Sequence, residues 1–188
     1  MTSASARRTG GSMFFFITPW VIFILGVAIN VLVDRHPSRR TGARFVEIAL
    51  LWNLVWFGVW GIIGVVGHLG PTSGQIAESI GYAQSMFQWE VGFGDLVLAV
   101  LAIGSFWMRD RWMTAAVVAI AIAFWGDAIG HVMSYYSDGN TAPNNVWAIP
   151  SDILQPLIGV VLLVLYRRGL GRLPSVPKHG VMGVEATR

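Results

Sequence analysis

Five apolar stretches, each close to the ~20 residues that cross the hydrocarbon layer of a bilayer, dictate most of what this chain can become. They are residues 13–33, 45–67, 89–108, 112–133 and 146–166. The first carries no ionised residue, and at ~1.5 Å per residue it reaches roughly 31 Å. The second carries one acid, Glu47, near its start. A span in lipid satisfies its backbone polar groups internally, so each stretch is expected to be helical. The expected fold class is therefore all-α, a polytopic membrane helix bundle with five transmembrane helices. Composition agrees: 54% of the residues are hydrophobic and 12% charged, against about 25% charged in a soluble domain that must cover itself with polar groups. The first stretch is long for a signal-peptide core and has no small-x-small cleavage site after it, so it reads as a retained span.

Charge gives the topology. The net charge is +3, with Lys and Arg gathered in short runs, which is a topology signal and no nucleic-acid footprint. Arg35, Arg39, Arg40 and Arg44 fill the first loop, Arg109 and Arg111 the third, and Arg167, Arg168, Arg172, Lys178 and Arg188 the C-terminal segment. Residues 68–88 and 134–145 carry none. Alternate loops are basic or empty, which puts the C-terminus in the cytoplasm and the N-terminus outside a cell (inner) membrane, although Arg7 and Arg8 oppose the latter. The chain divides into an N-terminal tail (1–12), the bundle (13–166) and a basic, disordered cytoplasmic tail (167–188) rich in Pro and Gly. No internal repeat is visible.

The second loop predicts more than a loop. Thr72 and Gln75 have capping-box spacing after Pro71, and Ile76, Ile80, Ala83 and Phe87 recur at helical spacing opposite Glu78, Gln84 and Gln88. An outer amphipathic helix running into the third span is expected, with a bend at Gly92 and Gly94. Trp89, Trp107, Trp112 and Trp147 fall at span ends, where indoles favour the interface. Trp52, Trp56 and Trp60 instead form a stripe along the second span: a packing face, or one wall of an aromatic pocket for a lipid, sterol-like or quinone-like ligand.

On this topology the polar residues collect at one level. His68 ends the second span, Glu90 and Asp95 open the third, Asp127 and His131 end the fourth, and Asp152 and Gln155 open the fifth. Asn140, Asn144 and Asn145 occupy the outer loop beside them. An ionisable group at a span centre costs roughly 2.5–3.5 kcal/mol on insertion scales. Such groups are therefore expected to face inward, pair or meet water. Asp127 and His131 are spaced to share a helix face and pair. Gly126 and Gly130 are spaced for a close helix approach. Pro156 frees the carbonyl of Asp152, and Pro150 suits a helix start.

Three uses of this cluster follow from its chemistry. Glu90, Asp95, Asp127, His131, Asn140, Asn144, Asp152 and Gln155 are candidates to hold a small ligand, ion or lipid headgroup in a binding or transport-type protein. The same Asp, Glu and His residues are candidates for acid–base chemistry on a membrane-dissolved substrate. The third use is structural, a hydrogen-bonded network in a subunit of an oligomer or larger membrane complex. His131, Asp127, Glu90 and His68 offer a nitrogen–oxygen ligand set suited to a divalent metal such as zinc, iron or manganese, without an H-E-x-x-H motif. Haem held by His68 and His131 is the remaining cofactor reading, set against the Leu69-Gly70-Pro71 that follows His68. The absence of cysteine excludes disulfides, thiolate ligands and thiol redox chemistry. There is no P-loop, no Gly-x-Ser-x-Gly and no N-x-[ST] sequon, and Gly58, Gly61, Gly64, Gly67 and Gly70 have helix-packing spacing.

Several of these residues also carry a resemblance. Glu90-x-x-x-Gly94, Gly126-Asp127-Ala128-Ile129-Gly130-His131, Gly139-Asn140-Thr141-Ala142-Pro143-Asn144-Asn145 and Ser151-Asp152-Ile153-Leu154-Gln155-Pro156-Leu157 make residues 88–166 similar to an uncharacterised family of small bacterial integral membrane proteins, domain of unknown function family 6790. Asn144-Asn145 stands where that pattern has Gly-Asn. The resemblance implies a multi-span bundle and supplies no activity.

Overall fold

The computed structural model describes residues 2–170, with side chains from residue 13 to 169. It contains α1 (Thr2–Val33), α2 (Gly42–Leu69), α3 (Ser73–Ile80), α4 (Phe87–Gly104), α5 (Arg111–Ser137) and α6 (Pro143–Leu170). All but α3 are long and apolar enough to cross a membrane, Met13–Val33 being the apolar part of α1. The segment read as an N-terminal tail continues α1 from Thr2, and residues 171–188 of the expected disordered tail lie outside the described residues.

The helices form two antiparallel hairpins. α2 runs along α4, α5 runs along α6, and α1 lies against α2 and α6. At the end bearing the basic loops the hairpins close on a dry core of Leu50, Leu54, Ala102, Met113, Ala116 and Val117. At the other end they part around a cavity. The helical spacing of glycines in α2 follows this division. A Cβ on Gly58 would stand 2.8 Å from the Cβ of Ala102 and 3.2 Å from the Ala99 carbonyl oxygen, so that glycine lets α2 approach the α4 backbone. Three residues turn a helix by about 300°, and Gly61 already faces open space.

The tryptophan stripe packs along α1. Trp52 covers Gly26, where a Cβ would meet ring atoms at 2.3–2.7 Å. Trp56 Nε1 donates to the Pro19 carbonyl at 2.9 Å. The Trp60 and Phe15 ring centres lie 5.3 Å apart. Residues Trp52–Trp56 form a π-helical turn. This local overturn, a feature often met beside functional sites, carries the fully enclosed Asn53, 1% exposed, whose Nδ2 reaches the Gln155 carbonyl at 3.4 Å.

Several local expectations are corrected. The amphipathic helix forms, but Thr72 makes no side-chain cap bond, and its hydroxyl donates to the Gly67 carbonyl instead. The helix also stops at Ile80, because Gly81 takes a left-handed conformation (φ +89°) and Asn140 occupies the space a Cβ there would need. α4 starts afresh at Phe87 and is helical through Gly92 and Gly94. Pro150 lies inside α6, whose first residue is Pro143. Gly126 and Gly130 are exposed and a Cβ on either would touch nothing, so they make no close helix contact within the chain.

The first loop is pinned from its own charges. Thr41 Oγ1 caps α2 through the Arg44 N–H at 3.2 Å. The Arg44 guanidinium then binds Asp34 Oδ2 and Glu47 Oε2, both at 2.9 Å. The hydrogen bond from Arg44 holds the Asp34 carboxyl at about 2 instead of 3.8. Because the folded value is depressed, this contribution is complete above about 3.8 and is lost as pH falls through about 2. A carboxyl NMR titration should show Asp34 titrating near 2, and Arg44→Gln should return it towards 3.8.

Candidate ligand-binding cavity

The space between the hairpins measures about 470 Å³. All six helices line it. Phe15, Phe16, Phe57, Trp60, Phe124 and Leu98 supply apolar walls, and Ile76, Ile80 and Tyr82 of the α3 segment close over it. The polar lining comes from four spans: His68 of α2, Gln88 and Asp95 of α4, Asp127 and His131 of α5, and Asn144, Ser151, Asp152 and Gln155 of α6. The carboxylate of Asp95 stands over Gly64 of α2, 3.6 Å from where a Cβ would lie.

Each imidazole is fixed by a side-chain amide. His131 Nδ1 lies 2.8 Å from Asn145 Oδ1. The Asn145 amide spends its hydrogens on the carbonyls of His131 (3.3 Å) and Asn140 (3.1 Å), so its oxygen must accept and His131 Nδ1 must carry a proton. Nε2 is then turned to Asp152, with 3.8 Å to Oδ2. A further proton on Nε2 would make an imidazolium paired with a carboxylate, whereas a proton on Asp152 would leave both groups neutral. His68 Nδ1 makes the equivalent contact with Gln88 Oε1 at 2.7 Å. Each hairpin thus carries one chemical string: an imidazole near the end of the outgoing helix, an amide near the start of the returning one, and an aspartate seven residues after that amide (Gln88 to Asp95, Asn145 to Asp152).

The outer asparagines clamp the covering helix. Asn144 Nδ2 donates to Ser79 Oγ at 2.8 Å. Asn140 Nδ2 donates to the Ile80 carbonyl at 2.9 Å and to Ser134 Oγ at 3.1 Å, while its oxygen accepts from the Ala142 N–H. These bonds hold α3 against the mouth of the bundle.

The structure brings Asp95, Asp127, His131, Asn144, Asp152 and Gln155 to one cavity, with His68 beside them. Two expected members are elsewhere. Glu90 is exposed and lines no part of it, since two residues along α4 turn a side chain by about 200° from the buried Gln88. Asn140 is spent on the clamp. The partner of His131 is also corrected: it pairs with Asn145 and Asp152 across the hairpin, and Asp127 four residues earlier makes no bond to it. Among the described residues no three His, Asp or Glu side chains converge as metal ligands do, so the set of His131, Asp127, Glu90 and His68 is not assembled. The residues missed from sequence are Gln88, Asn53 and Ser151. A single amide in mid-span, flanked by Trp52 and Leu54, was the available signal for Asn53.

The family pattern described as a family of unknown function (DUF6790) matches residues 13–172. The chain belongs to that family. The DUF6790 match takes in all five spans and every residue lining the cavity, well beyond residues 88–166 where the motifs cluster. No curated protein and no solved structure matches the chain. Of the residues that carry the resemblance, Asp127, His131, Asn144, Ser151, Asp152 and Gln155 line the cavity, Asn140 and Asn144 clamp α3 over it, Asn145 orients His131, and Glu90 lies outside.

Proposed function

We propose that this membrane protein binds a small ligand in the cavity between its hairpins and belongs to the binding or transport type. The observation that carries the reading is the meeting of polar side chains from four spans in a single space of about 470 Å³ with an aromatic wall. That volume lies within the range of small-molecule sites, which combine apolar walls with a few convergent polar groups. The alternation of basic and empty loops orients the cavity towards the outside of a cell membrane, with the C-terminus cytoplasmic.

Gly61 offers a direct test, because it lines the cavity and a Cβ there meets nothing within 4 Å. Gly61→Leu should fill the space while leaving the protein as stable as before or stabler by about 1 kcal/mol, since leucine is the better helix former. Titration calorimetry in phosphatidylcholine nanodiscs should show phenylbutanol binding to the native protein and at least tenfold weaker binding to the variant. Equal binding by the two proteins, or binding by neither, would remove the cavity as the site.

A second reading, acid–base catalysis on a membrane-dissolved substrate, is favoured by the fixed tautomer of His131 and the placing of its Nε2 towards Asp152.

A further inference from the structure

Resting on the reading of the cavity as a ligand site, we infer that its ligand is an amphipathic organic cation, an ammonium group on an apolar body. The lining contains three aspartates, two histidines and no lysine or arginine. Even with both imidazoles protonated, acids outnumber bases. An anionic headgroup would meet Asp95, Asp127 and Asp152 with no fixed positive charge to hold it.

The neutral polar groups point the same way. Among the described residues, the lining side chains with a buried atom lacking any hydrogen-bond partner are Asn144 and Gln155, and in both that atom is an oxygen, Asn144 Oδ1 and Gln155 Oε1. Gln155 is 2% exposed. Buried acceptors without a donor are costly. Each of these two oxygens lacks a donor, and an ammonium brings three donors together with the charge that suits the carboxylates. The same lining includes Phe57, Trp60 and Phe124, whose ring faces accept a cation or cover an apolar body.

A phosphatidylethanolamine headgroup and a free amine present the same ammonium. The lipid also brings a phosphate, for which the lining offers no lysine or arginine, so the free amine fits the lining better.

Three probes with one apolar body separate the possibilities: phenylbutylamine, phenylbutanol and phenylbutanoate, titrated into the full-length protein in phosphatidylcholine nanodiscs. The amine is expected to bind at least tenfold more tightly than the alcohol, a difference of about 1.4 kcal/mol, and the carboxylate more weakly than either. Asp95→Asn and Asp152→Asn should each weaken the amine at least tenfold and leave the alcohol unchanged, which also shows the variant cavity to be intact. Amine binding that is indifferent to both substitutions, or a carboxylate that binds as tightly as the amine, would overturn the inference. Alcohol binding blocked by Gly61→Leu without any preference for the amine would overturn it while leaving the cavity reading standing. Binding by none of the three would overturn both. Amine binding abolished in nanodiscs containing phosphatidylethanolamine would make the lipid headgroup the source of the ammonium.

Discussion

Asn145→Leu should lower the unfolding free energy by about 2–3 kcal/mol in equilibrium unfolding in mixed detergent–SDS micelles. Asn145 is fully buried and joins three partners: His131 Nδ1 at 2.8 Å, the His131 carbonyl at 3.3 Å and the Asn140 carbonyl at 3.1 Å. Leucine fills nearly the same volume but neither donates nor accepts. The substitution therefore leaves an imidazole N–H and a loop carbonyl without those partners in a part-buried place beside the cavity, at roughly 1–3 kcal/mol for each group stranded. Polar contacts between membrane helices average nearer 0.6 kcal/mol, so the sum is put below what the same three bonds would give in a soluble core. The imidazole should also lose its fixed tautomer, and this is visible separately in the ring nitrogen shifts of His131. A loss smaller than about 0.5 kcal/mol, with those shifts unchanged, would mean that the amide does not hold the ring.

The second large effect is expected at the seam between α2 and α4. Gly58→Leu should destabilise the protein by about 3 kcal/mol. A Cβ at Gly58 would already stand 2.8 Å from Ala102 Cβ, 3.1 Å from Ile103 Cγ1 and 3.2 Å from the Ala99 carbonyl oxygen, and the last of these belongs to a helix backbone that cannot rotate aside. The helices must part along their main contact, which also loosens the dry core at Leu54 and Ala102. Ala102→Gly in the same chain should return about 1 kcal/mol by removing the nearest of the three obstructions. The comparison with Gly61→Leu is informative because the replacement is the same and only the helix face differs. One leucine enters a packed seam and the other an open space, so a single unfolding assay should find Gly58→Leu clearly destabilised and Gly61→Leu unchanged or stabler. Equal effects would contradict the placing of the cavity on that face of α2.

The sequence carried the gross architecture because lipid leaves little choice. An apolar stretch of 20 residues must become a helix to satisfy its own backbone, and all five stretches do so, four of them within a few residues of their expected ends while α1 starts at Thr2. The gathering of Asp95, Asp127, His131 and Asp152 was legible for a related reason: alternating loop charge orders the spans, and the spans then put those residues at one end. What a level cannot supply is rotation about the helix axis. Glu90 and Gln88 share a level and face nearly opposite ways, so the acid was expected in the cluster and the amide was not. Spacing four apart allowed Asp127 and His131 to pair, but the imidazole found a better-placed acceptor in Asn145 and a closer carboxylate in Asp152, both on the neighbouring helix. The Gly126 and Gly130 spacing allowed a close approach, and nothing in the chain makes it.

By itself, then, the sequence determined the helical class, the number and order of the spans and the end at which their polar groups lie, because hydropathy and charge act on each segment separately. Only the tertiary structure decided which of those groups face one another, that Asn140 and Asn145 clamp and orient while Asp95 and Asp152 line the cavity, and that the cavity exists at all. Those outcomes depend on how far each helix is rotated and how closely its neighbours can come, and the small contacts that set both, such as Gly58 on Ala102 or Trp52 on Gly26, exist only once the helices have met.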